Sequence, residues 1–288
     1  FKPWETWVLS NVPGALRLYR AFLWGIAELM LYPVMRQHPT LAKIYTKWAM
    51  DNLETNIADP ALRKRLTPDY PIGGKRILIH DDFFPALNRP NVDLVTTAIE
   101  RVTEHGIVTA DGTAHPLDVL VFATGFRTNP FLAPMKIEGR DGRSLDADWQ
   151  HGARAYFGLT MTGYPNFFML YGPNTNLGHN SIIFMLECQI AYVMDAIQWL
   201  IRDDLKSIDL RPEVMDAFNE TLQRDLAGTS WAAAPDSWYK DAGRITNNWP
   251  YSTFEYWRRT RALVHAEYRA ERRGAKVVPI GHARSAAA

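Results

Sequence analysis

The feature that most constrains the fold of this chain is a change of hydrophobic pattern near Lys75. Before it, apolar residues recur at helical spacing, with a break at His38-Pro39, and no strand signal occurs. After it come the short β-rich runs RILIH, VDLVTT, AIERVTEHG and IVTADGTAH, which end in the strongly apolar VLVFATGF. The pattern predicts helices up to about residue 70 and then a small β region with a turn at Asp111-Gly112 that closes on a buried strand.

The second half of the chain combines loops with two amphipathic helices. The apolar run FFMLYG predicts a further strand that ends at Gly172-Pro173. A helix is predicted from about Ser181 to Arg202, with Ser181 or the preceding Asn180 as its cap. Its predicted apolar face consists of Ile182, Leu186, Ile190, Val193, Ile197 and Leu200. A second helix is predicted from Pro212 to Gly228, and fraying is predicted after Lys276.

Charge, cysteine and histidine content exclude several classes of protein. The chain has 32 Lys and Arg against 31 Asp and Glu, a net charge of +1, so it lacks the positive field with which proteins hold nucleic acid. Its single cysteine, Cys188, lies in an apolar run, which favours a buried thiol, no internal disulfide and a reducing cytoplasm. The eight histidines form no HExxH motif and no Cys/His pair at ligand spacing, so no metal site is predicted.

The N-terminal region bears on targeting and membranes. The chain opens with Phe1, without the basic start or cleavage site of a signal peptide. We expect the given sequence to begin partway through a longer protein. The most membrane-like stretch, Ala21 to Met35, is too short to span a bilayer and contains Glu28 and Pro33. We predict a packed helix there and no transmembrane segment. Peripheral contact with a membrane, as in a membrane-associated helical protein, is the alternative.

The run Asp118-Val-Leu-Val-Phe-Ala-Thr-Gly125 is the most informative motif. Its end, Ala123-Thr124-Gly125, has small side chains that let backbone approach a ligand at the carboxyl edge of a sheet. No GxSxG elbow, P-loop or GxGxxG sequence occurs in the chain. Taken alone, the run predicts a strand followed by a turn.

The same run resembles the D-x4-ATG motif of flavin-containing and Baeyer–Villiger monooxygenases, in which this segment joins the FAD and NADPH domains. Three further segments are similar to that family in the same order: Gly73 to Val92, Gly163 to Ser181 and Ser237 to Pro250. The first 70 residues match the family only loosely. Four separated matches in one order are far more specific than a single motif.

The resemblance implies an α/β fold, the C-terminal part of a flavoprotein with two Rossmann-like dinucleotide-binding domains. Residues 1–116 would be the trailing part of the NADPH-binding domain, with a helical insertion over about residues 1–70. Residues 117–288 would form the C-terminal half of the FAD-binding domain. No nucleic-acid partner is expected.

The resemblance also implies a catalytic arginine. Arg76 matches the arginine whose fixed positive charge beside the flavin would stabilise negative charge formed during oxygen transfer. From the sequence alone, an exposed ion pair of Arg76 with Asp81 or Asp82 is the favoured explanation, because such pairs are common. The family match favours the catalytic role instead. The cofactor-binding residues implied in the D-x4-ATG segment are Asp118, Ala123, Thr124 and Gly125.

The loop Gly172 to Ser181 is implied to lie on the flavin side. It precedes the predicted helix, so the positive end of the helix dipole would face the flavin pyrimidine edge and favour the anionic reduced flavin. The polar candidates in this loop are Asn174, Asn176 and Asn180, which turn formation and capping explain as well. Trp238 lies where the family has a tryptophan that contacts NADPH and borders the substrate pocket, whereas simple packing would also account for it. His179 is interpreted as a turn or hydrogen-bonding residue and not as a proton carrier.

The implied function is an FAD- and NADPH-dependent monooxygenase that uses O2 to insert oxygen next to a ketone carbonyl, giving an ester or a lactone. Oxygenation of amines or sulfides is one alternative, because that subclass shares the D-x4-ATG motif. A non-catalytic binding module that keeps the fold is another. The family's two glycine-rich loops and its FxGxxxHxxxWP fingerprint do not occur here, so we expect the isolated chain neither to hold FAD tightly nor to turn over.

Overall fold

The first part of the chain is helical, as predicted. The structure, a computed structural model, describes residues 1–235 and 237–274, and the predicted fraying after Lys276 lies outside these residues. The helices are α1 (Pro3–Asn11), α2 (Ala15–Ile26), α3 (Tyr32–Met35), α4 (Pro39–Asn56) and α5 (Pro60–Leu66), with a π-helical turn at Ala27–Leu31 between α2 and α3. Pro39 occupies the first turn of α4, where its missing N–H leaves no hydrogen bond unmade. The predicted break at His38-Pro39 is thus confirmed.

A three-stranded antiparallel sheet follows the short helix α6 (Phe83–Leu87). Its strands are β1 (Ile99–Thr103), β2 (Gly106–Thr109) and β3 (Ala114–Pro116), in the order β1-β2-β3. In the turn between β2 and β3, the Asp111 carboxylate accepts hydrogen bonds from the Thr109 hydroxyl (2.6 Å) and the Thr113 backbone N–H (3.0 Å). These bonds lower the pKa of Asp111. Gly112 takes the left-handed conformation that the predicted turn requires, with φ of +82°.

Four of the predicted strands are wrong. The runs at residues 76–80, 92–97, 119–126 and 167–172 form no ladder with any strand in the described part of the chain. A strand requires a neighbour that satisfies its backbone N–H and C=O groups, which the apolar pattern alone cannot supply. The predicted burial of the D-x4-ATG segment is also wrong, since Asp118, Ala123, Thr124 and Gly125 are all exposed. The run 167–172 makes single backbone contacts instead, such as Met169 N–H to the Leu159 carbonyl at 2.8 Å.

The second half of the chain is built around one long helix. Its elements are α7 (Leu145–Asp148), α8 (Ile182–Arg202), β4 (Leu205–Leu210), α9 (Pro212–Leu226), α10 (Ser230–Ala233), β5 (Lys240–Asp241), β6 (Arg244–Ile245), α11 (Thr253–Thr260) and β7 (Tyr268–Arg272). Short 3₁₀ turns lie at Arg140–Gly142 and His265–Glu267. Strand β4 pairs antiparallel with β7, and β5 pairs antiparallel with β6. Both predicted helices, α8 and α9, are confirmed.

The buried face of α8 differs from the predicted one. Ile190 and Ile197, on the predicted apolar face, are 49% and 38% exposed. The residues that α8 buries are Met185, Cys188, Gln189, Tyr192, Ala196 and Trp199. Burial raises the pKa of the Cys188 thiol to about 11, so the predicted inert, buried cysteine is confirmed. By length and apolar composition alone α8 could cross a membrane, and 33% of its most apolar window is buried here.

Ser181 caps the N-terminus of α8. Its hydroxyl accepts a hydrogen bond from the Phe184 backbone N–H at 3.4 Å, which satisfies one of the four donors left free at a helix start. We expect Ser181→Ala to lower the free energy of unfolding by about 1 kcal/mol in urea titrations. Ser144→Ala is the matched control, because Ser144 precedes α7 without a capping hydrogen bond. Equal losses in the two variants would contradict the capping role.

Candidate functional site

A polar seam forms where the loop of residues 172–181, here called the asparagine loop, lies beside residues 244–249. Three backbone hydrogen bonds join them: Asn174 N–H to the Thr246 carbonyl (2.8 Å), Asn176 N–H to the Asn247 carbonyl (2.9 Å) and Trp249 N–H to the Asn176 carbonyl (2.9 Å). The asparagine loop leads into α8, residues 244–249 precede α11, and α8 and α11 pack on each other. The loop is therefore held rigidly along one edge.

Asn174 and Asn176 have different roles in this seam, although both are only 2% exposed. The Asn174 side-chain N–H₂ donates to the carbonyls of Ile245 (2.7 Å) and Asn248 (3.1 Å), and its φ of +58° suits a tight turn. The Asn176 side-chain oxygen accepts from the Tyr171 hydroxyl at 2.9 Å. Asn174 is thus committed to holding the loop, whereas the Asn176 amide nitrogen has no partner among the described residues.

Several buried polar atoms on the seam lack hydrogen-bond partners within the described chain. They are the Asn176 Nδ2, both ring nitrogens of His179, the Arg244 Nε, the Thr246 Oγ1 and both side-chain polar atoms of Asn248. A buried polar group without a partner is unfavourable, and such groups are rare in folded proteins. Their concentration on one seam supplies both donors and acceptors for a polar ligand.

Asn180 faces the opposite direction, toward the N-terminal helices. Its side-chain N–H₂ donates to the Glu28 carboxylate at 2.7 Å, and the same carboxylate accepts from the backbone N–H of Thr253 (3.0 Å) and from its hydroxyl. The π-helical turn displaces Glu28 from regular α-helical register, and π turns often mark functional positions. Asn180 therefore ties α2, α8 and α11 together.

Arg76 follows a close-packed glycine pair. Gly73 has a φ of +80°, a left-handed conformation that favours glycine, and a Cβ there would also displace the end of the Met35 side chain, 2.6 Å away. Arg76 itself is exposed, and no carboxylate of the described chain lies within 4.0 Å of its guanidinium. The ion pair with Asp81 or Asp82 considered from the sequence is therefore not formed.

The Arg76 charge acts on two tyrosines beside the asparagine loop. Burial raises the pKa of Tyr171 and of Tyr239, and the positive charge of Arg76 partly opposes this in both. Trp238 is 40% exposed, with its ring centroid 4.3 Å from that of Tyr239. Through Tyr171 and Tyr239 the fold gathers Arg76, Asn176 and Trp238 in one region.

The D-x4-ATG segment is not joined to this region. Asp118, Ala123, Thr124 and Gly125 form no hydrogen bond with the asparagine loop among the described residues. Sequence reasoning also missed residues that the site uses, namely Tyr171, Tyr239, Thr246 and Asn248. A run of three polar residues, Thr246-Asn247-Asn248, directly before a buried tryptophan was the available signal.

From the sequence, His179 is interpreted as a turn or hydrogen-bonding residue. It lies in a bend of the chain, but its ring makes no hydrogen bond within the described residues. The side chain is 4% exposed and packs on the ring of Tyr32 at a centroid distance of 5.3 Å. Burial lowers the pKa of His179 to about 4, and the nearby Glu28 carboxylate only partly opposes this. The imidazole is therefore neutral at physiological pH.

A buried neutral histidine makes stability depend on pH. Because the pKa of His179 falls from 6.5 in the unfolded chain to about 4 in the folded one, its contribution is fully present above about pH 6.5 and is lost as pH falls to about 4. We expect His179→Gln to flatten the decline in the free energy of unfolding over this interval. Urea titrations at several pH values test this, with His151→Gln at an exposed histidine as the control. An unchanged slope in His179→Gln would contradict the assignment.

Comparisons with known proteins agree with the sequence motifs. No family model matches the chain. An FAD-binding monooxygenase of Aspergillus niger is 42% identical over 272 residues, which are 92% of this chain and 44% of that protein. A Baeyer–Villiger monooxygenase of Streptomyces coelicolor is 40% identical over 260 residues, 89% of this chain and 50% of that protein.

The fold gives the same result. The crystal structure of cyclohexanone monooxygenase from Rhodococcus sp. Phi1 bound to NADP+ matches with a TM-score of 0.73 and 26% identity, covering 82% of this chain and 46% of that one. The chain thus spans about half the length of the proteins that it matches. By sequence and by α/β fold, the chain is a relative of the Baeyer–Villiger monooxygenases and corresponds to the C-terminal portion of their two-dinucleotide-binding-domain fold.

Proposed function

We propose that this chain is part of an FAD- and NADPH-dependent monooxygenase that uses O2 to insert oxygen next to a ketone carbonyl. The names of the matched proteins, which include FAD-binding, Baeyer–Villiger and cyclohexanone monooxygenases, support this class of reaction. The observation that carries the proposal is the group of buried, unpartnered polar atoms on the asparagine-loop seam; the charge of Arg76 acts on Tyr171, which donates a hydrogen bond to Asn176.

The residues of the seam fit one edge of a flavin. Asn176 and Asn248 offer amide donors, while Thr246 and Asn248 offer acceptors, a mixture that suits the alternating N–H and C=O groups of the flavin pyrimidine ring. Asn174 and Asn180 hold the loop in place. When bound, FAD supplies the redox and oxygen chemistry, and the protein supplies binding, orientation and charge.

Arg76 is the proposed catalytic residue. A guanidinium stays charged at any working pH and has five N–H donors for negative oxygen atoms. The Arg76 side chain is exposed, with no carboxylate of the described chain within 4.0 Å of its guanidinium. Its charge is therefore available to a reacting group. Trp238, half-exposed next to Tyr239, is the proposed contact for NADPH.

The domain division and the location belong to the same proposal. Residues 1–116 would complete an NADPH-binding domain and residues 117–288 an FAD-binding domain, and the three-stranded sheet ends at Pro116, where that division falls. The exposed segment Asp118–Gly125 would bind the cofactors once a neighbouring sheet covers it. A cytoplasmic location is supported by the lone, buried Cys188.

The non-catalytic binding module is the second candidate. The observation in its favour is that Asp118–Gly125 form no hydrogen bond with the asparagine loop among the described residues. Adding FAD to the purified 288-residue chain, followed by desalting and an absorbance spectrum, addresses this point. We expect a nearly colourless protein, because the seam contacts one flavin edge only. Stoichiometric flavin absorbance would overturn the expectation that the chain alone cannot hold FAD.

A chimera tests the catalytic proposal. In it, this chain replaces the matching portion of the Streptomyces coelicolor relative, to which it is 40% identical. We expect the chimera to retain FAD, to oxidise NADPH and to convert cyclohexanone to its lactone, measured by absorbance and gas chromatography. Oxygenation of a thioether without any lactone would favour the heteroatom alternative. A folded chimera without flavin would favour the binding module.

A further inference from the structure

A large apolar cleft lies between α2, the start of α8 and α11. Its volume is about 1110 Å³, slightly above the roughly 300–1,000 Å³ usual for small-molecule sites. The apolar side chains that line it are Leu16, Leu23, Trp24, Phe184, Phe254 and Trp257. Leu16 and Phe254 are each 51% exposed, so the cleft presents a contiguous apolar surface of the kind that marks a binding site.

The walls of the cleft are fixed by contacts between its elements. The Trp24 indole N–H donates to the Thr253 hydroxyl at 2.9 Å, and the Trp24 ring lies 5.8 Å from that of Phe184. The Glu28 carboxylate accepts hydrogen bonds from both Asn180 and Thr253, which links the residue before α8 to the start of α11. A cleft whose walls are held by hydrogen bonds loses little entropy when a ligand enters it.

The charge around the cleft is positive. Arg17 and Arg20 line it and lie three residues apart on α2, so their side chains share one face. Neither guanidinium has a carboxylate within 4.0 Å among the described residues. No acidic side chain lines the cleft in the described chain, and the nearby Glu255 is paired with Arg258 and Arg259 at 2.6 Å each.

We propose that this cleft binds a free amphipathic carboxylate, a molecule with a long apolar body and one terminal carboxylate. The apolar body would lie along Leu23, Trp24 and Phe254, and the carboxylate would pair with Arg17 and Arg20. An arginine pair matches a carboxylate by charge and by fork geometry. Binding in this cleft requires no flavin, so the two proposals can be tested separately.

Calorimetric titration of the 288-residue chain with monomeric dodecanoate tests the proposal, with dodecan-1-ol as the uncharged ligand of equal length. We expect about one dodecanoate per chain, with a Kd on the order of 10–100 µM, and weaker binding of the alcohol. Arg17→Gln/Arg20→Gln should weaken dodecanoate binding by about tenfold or more, because two charged hydrogen-bond donors are lost. It should change binding of the alcohol by no more than about twofold.

Matched variants separate charge from packing. Lys43→Gln/Lys64→Gln removes the same net charge from exposed residues on α4 and α5, away from the cleft, and should leave both ligands unaffected. Phe254→Ser should weaken both ligands. The proposal is overturned if dodecanoate fails to bind, if the alcohol binds as tightly, or if the arginine variant binds dodecanoate normally. Sedimentation of the chain with phosphatidylglycerol vesicles, without binding of monomeric dodecanoate, would likewise overturn it in favour of a membrane surface.

Discussion

Arg76→Ala is expected to lower kcat for ketone oxygenation by about 10²–10³-fold in the chimera described above, the range found when one group that stabilises charge in a transition state is removed. The side chain is exposed and has no ion-pair partner in the described chain, so the folded state should be little affected. Lactone formation is the measured quantity, with flavin absorbance and circular dichroism confirming that cofactor and fold are retained. Arg76→Lys should restore part of the rate, since it keeps the charge but not the fork geometry.

Lys75→Gln is the control for this variant. Lys75 lies next to Arg76 in sequence, but its ammonium group sits 4.8 Å from the centre of the Tyr70 ring. We therefore expect the rate of this variant to stay within about threefold of the parent chimera. A loss of rate equal to that of Arg76→Ala would mean that general positive charge matters there, and not the arginine itself. A normal rate in Arg76→Ala would contradict the catalytic assignment.

Trp249→Ala is expected to have the largest effect on stability, a loss of about 3–5 kcal/mol in the free energy of unfolding. Trp249 is fully buried, and its ring centroid lies 4.9 Å from that of Tyr251 and 5.0 Å from that of Tyr256. Its indole N–H also donates to the Ser252 carbonyl at 3.1 Å. Alanine would leave a cavity among aromatic rings and an unpaired carbonyl. Urea titration followed by circular dichroism measures the loss.

Trp48→Ala serves as the matched control for Trp249→Ala. Trp48 is 57% exposed on α4 and packs on Tyr45 at a ring distance of 5.0 Å. Its removal should cost no more than about 1 kcal/mol. Comparable losses in the two variants would show that the aromatic cluster around Trp249 is not the main source of stability in this half of the chain.

Local chemistry made the turns and helices of this protein predictable. The turn at Asp111-Gly112 is confirmed, because the Asp111 carboxylate and the left-handed Gly112 act within a few residues. Helices α8 and α9 were predictable for the same reason, because the cap of α8 and the first-turn proline of α9 are local features of the sequence. The buried face of α8 was not predictable, because a helix that is apolar on most sides gives no clear stripe.

Long-range pairing decided the features that the sequence could not indicate. The run 119–126 has the composition of a buried strand but lies exposed, because no strand of the described chain satisfies its backbone. The different roles of Asn174 and Asn176 depend on carbonyl and hydroxyl groups elsewhere in the fold, such as the Ile245 carbonyl, 71 residues away from Asn174. Neighbouring asparagines in one loop therefore look equivalent in sequence and are not equivalent in the fold.

The unpaired segments at residues 76–80 and 119–126 have a consequence for the behaviour of the chain in solution. Each combines free backbone donors and acceptors with apolar side chains such as Ile79 and Val121, which are 98% and 78% exposed. Such a segment can pair with a strand from another molecule. We therefore expect self-association of the chain to rise with concentration. The runs whose composition fits a buried strand are thus also the ones most prone to aggregate when left uncovered.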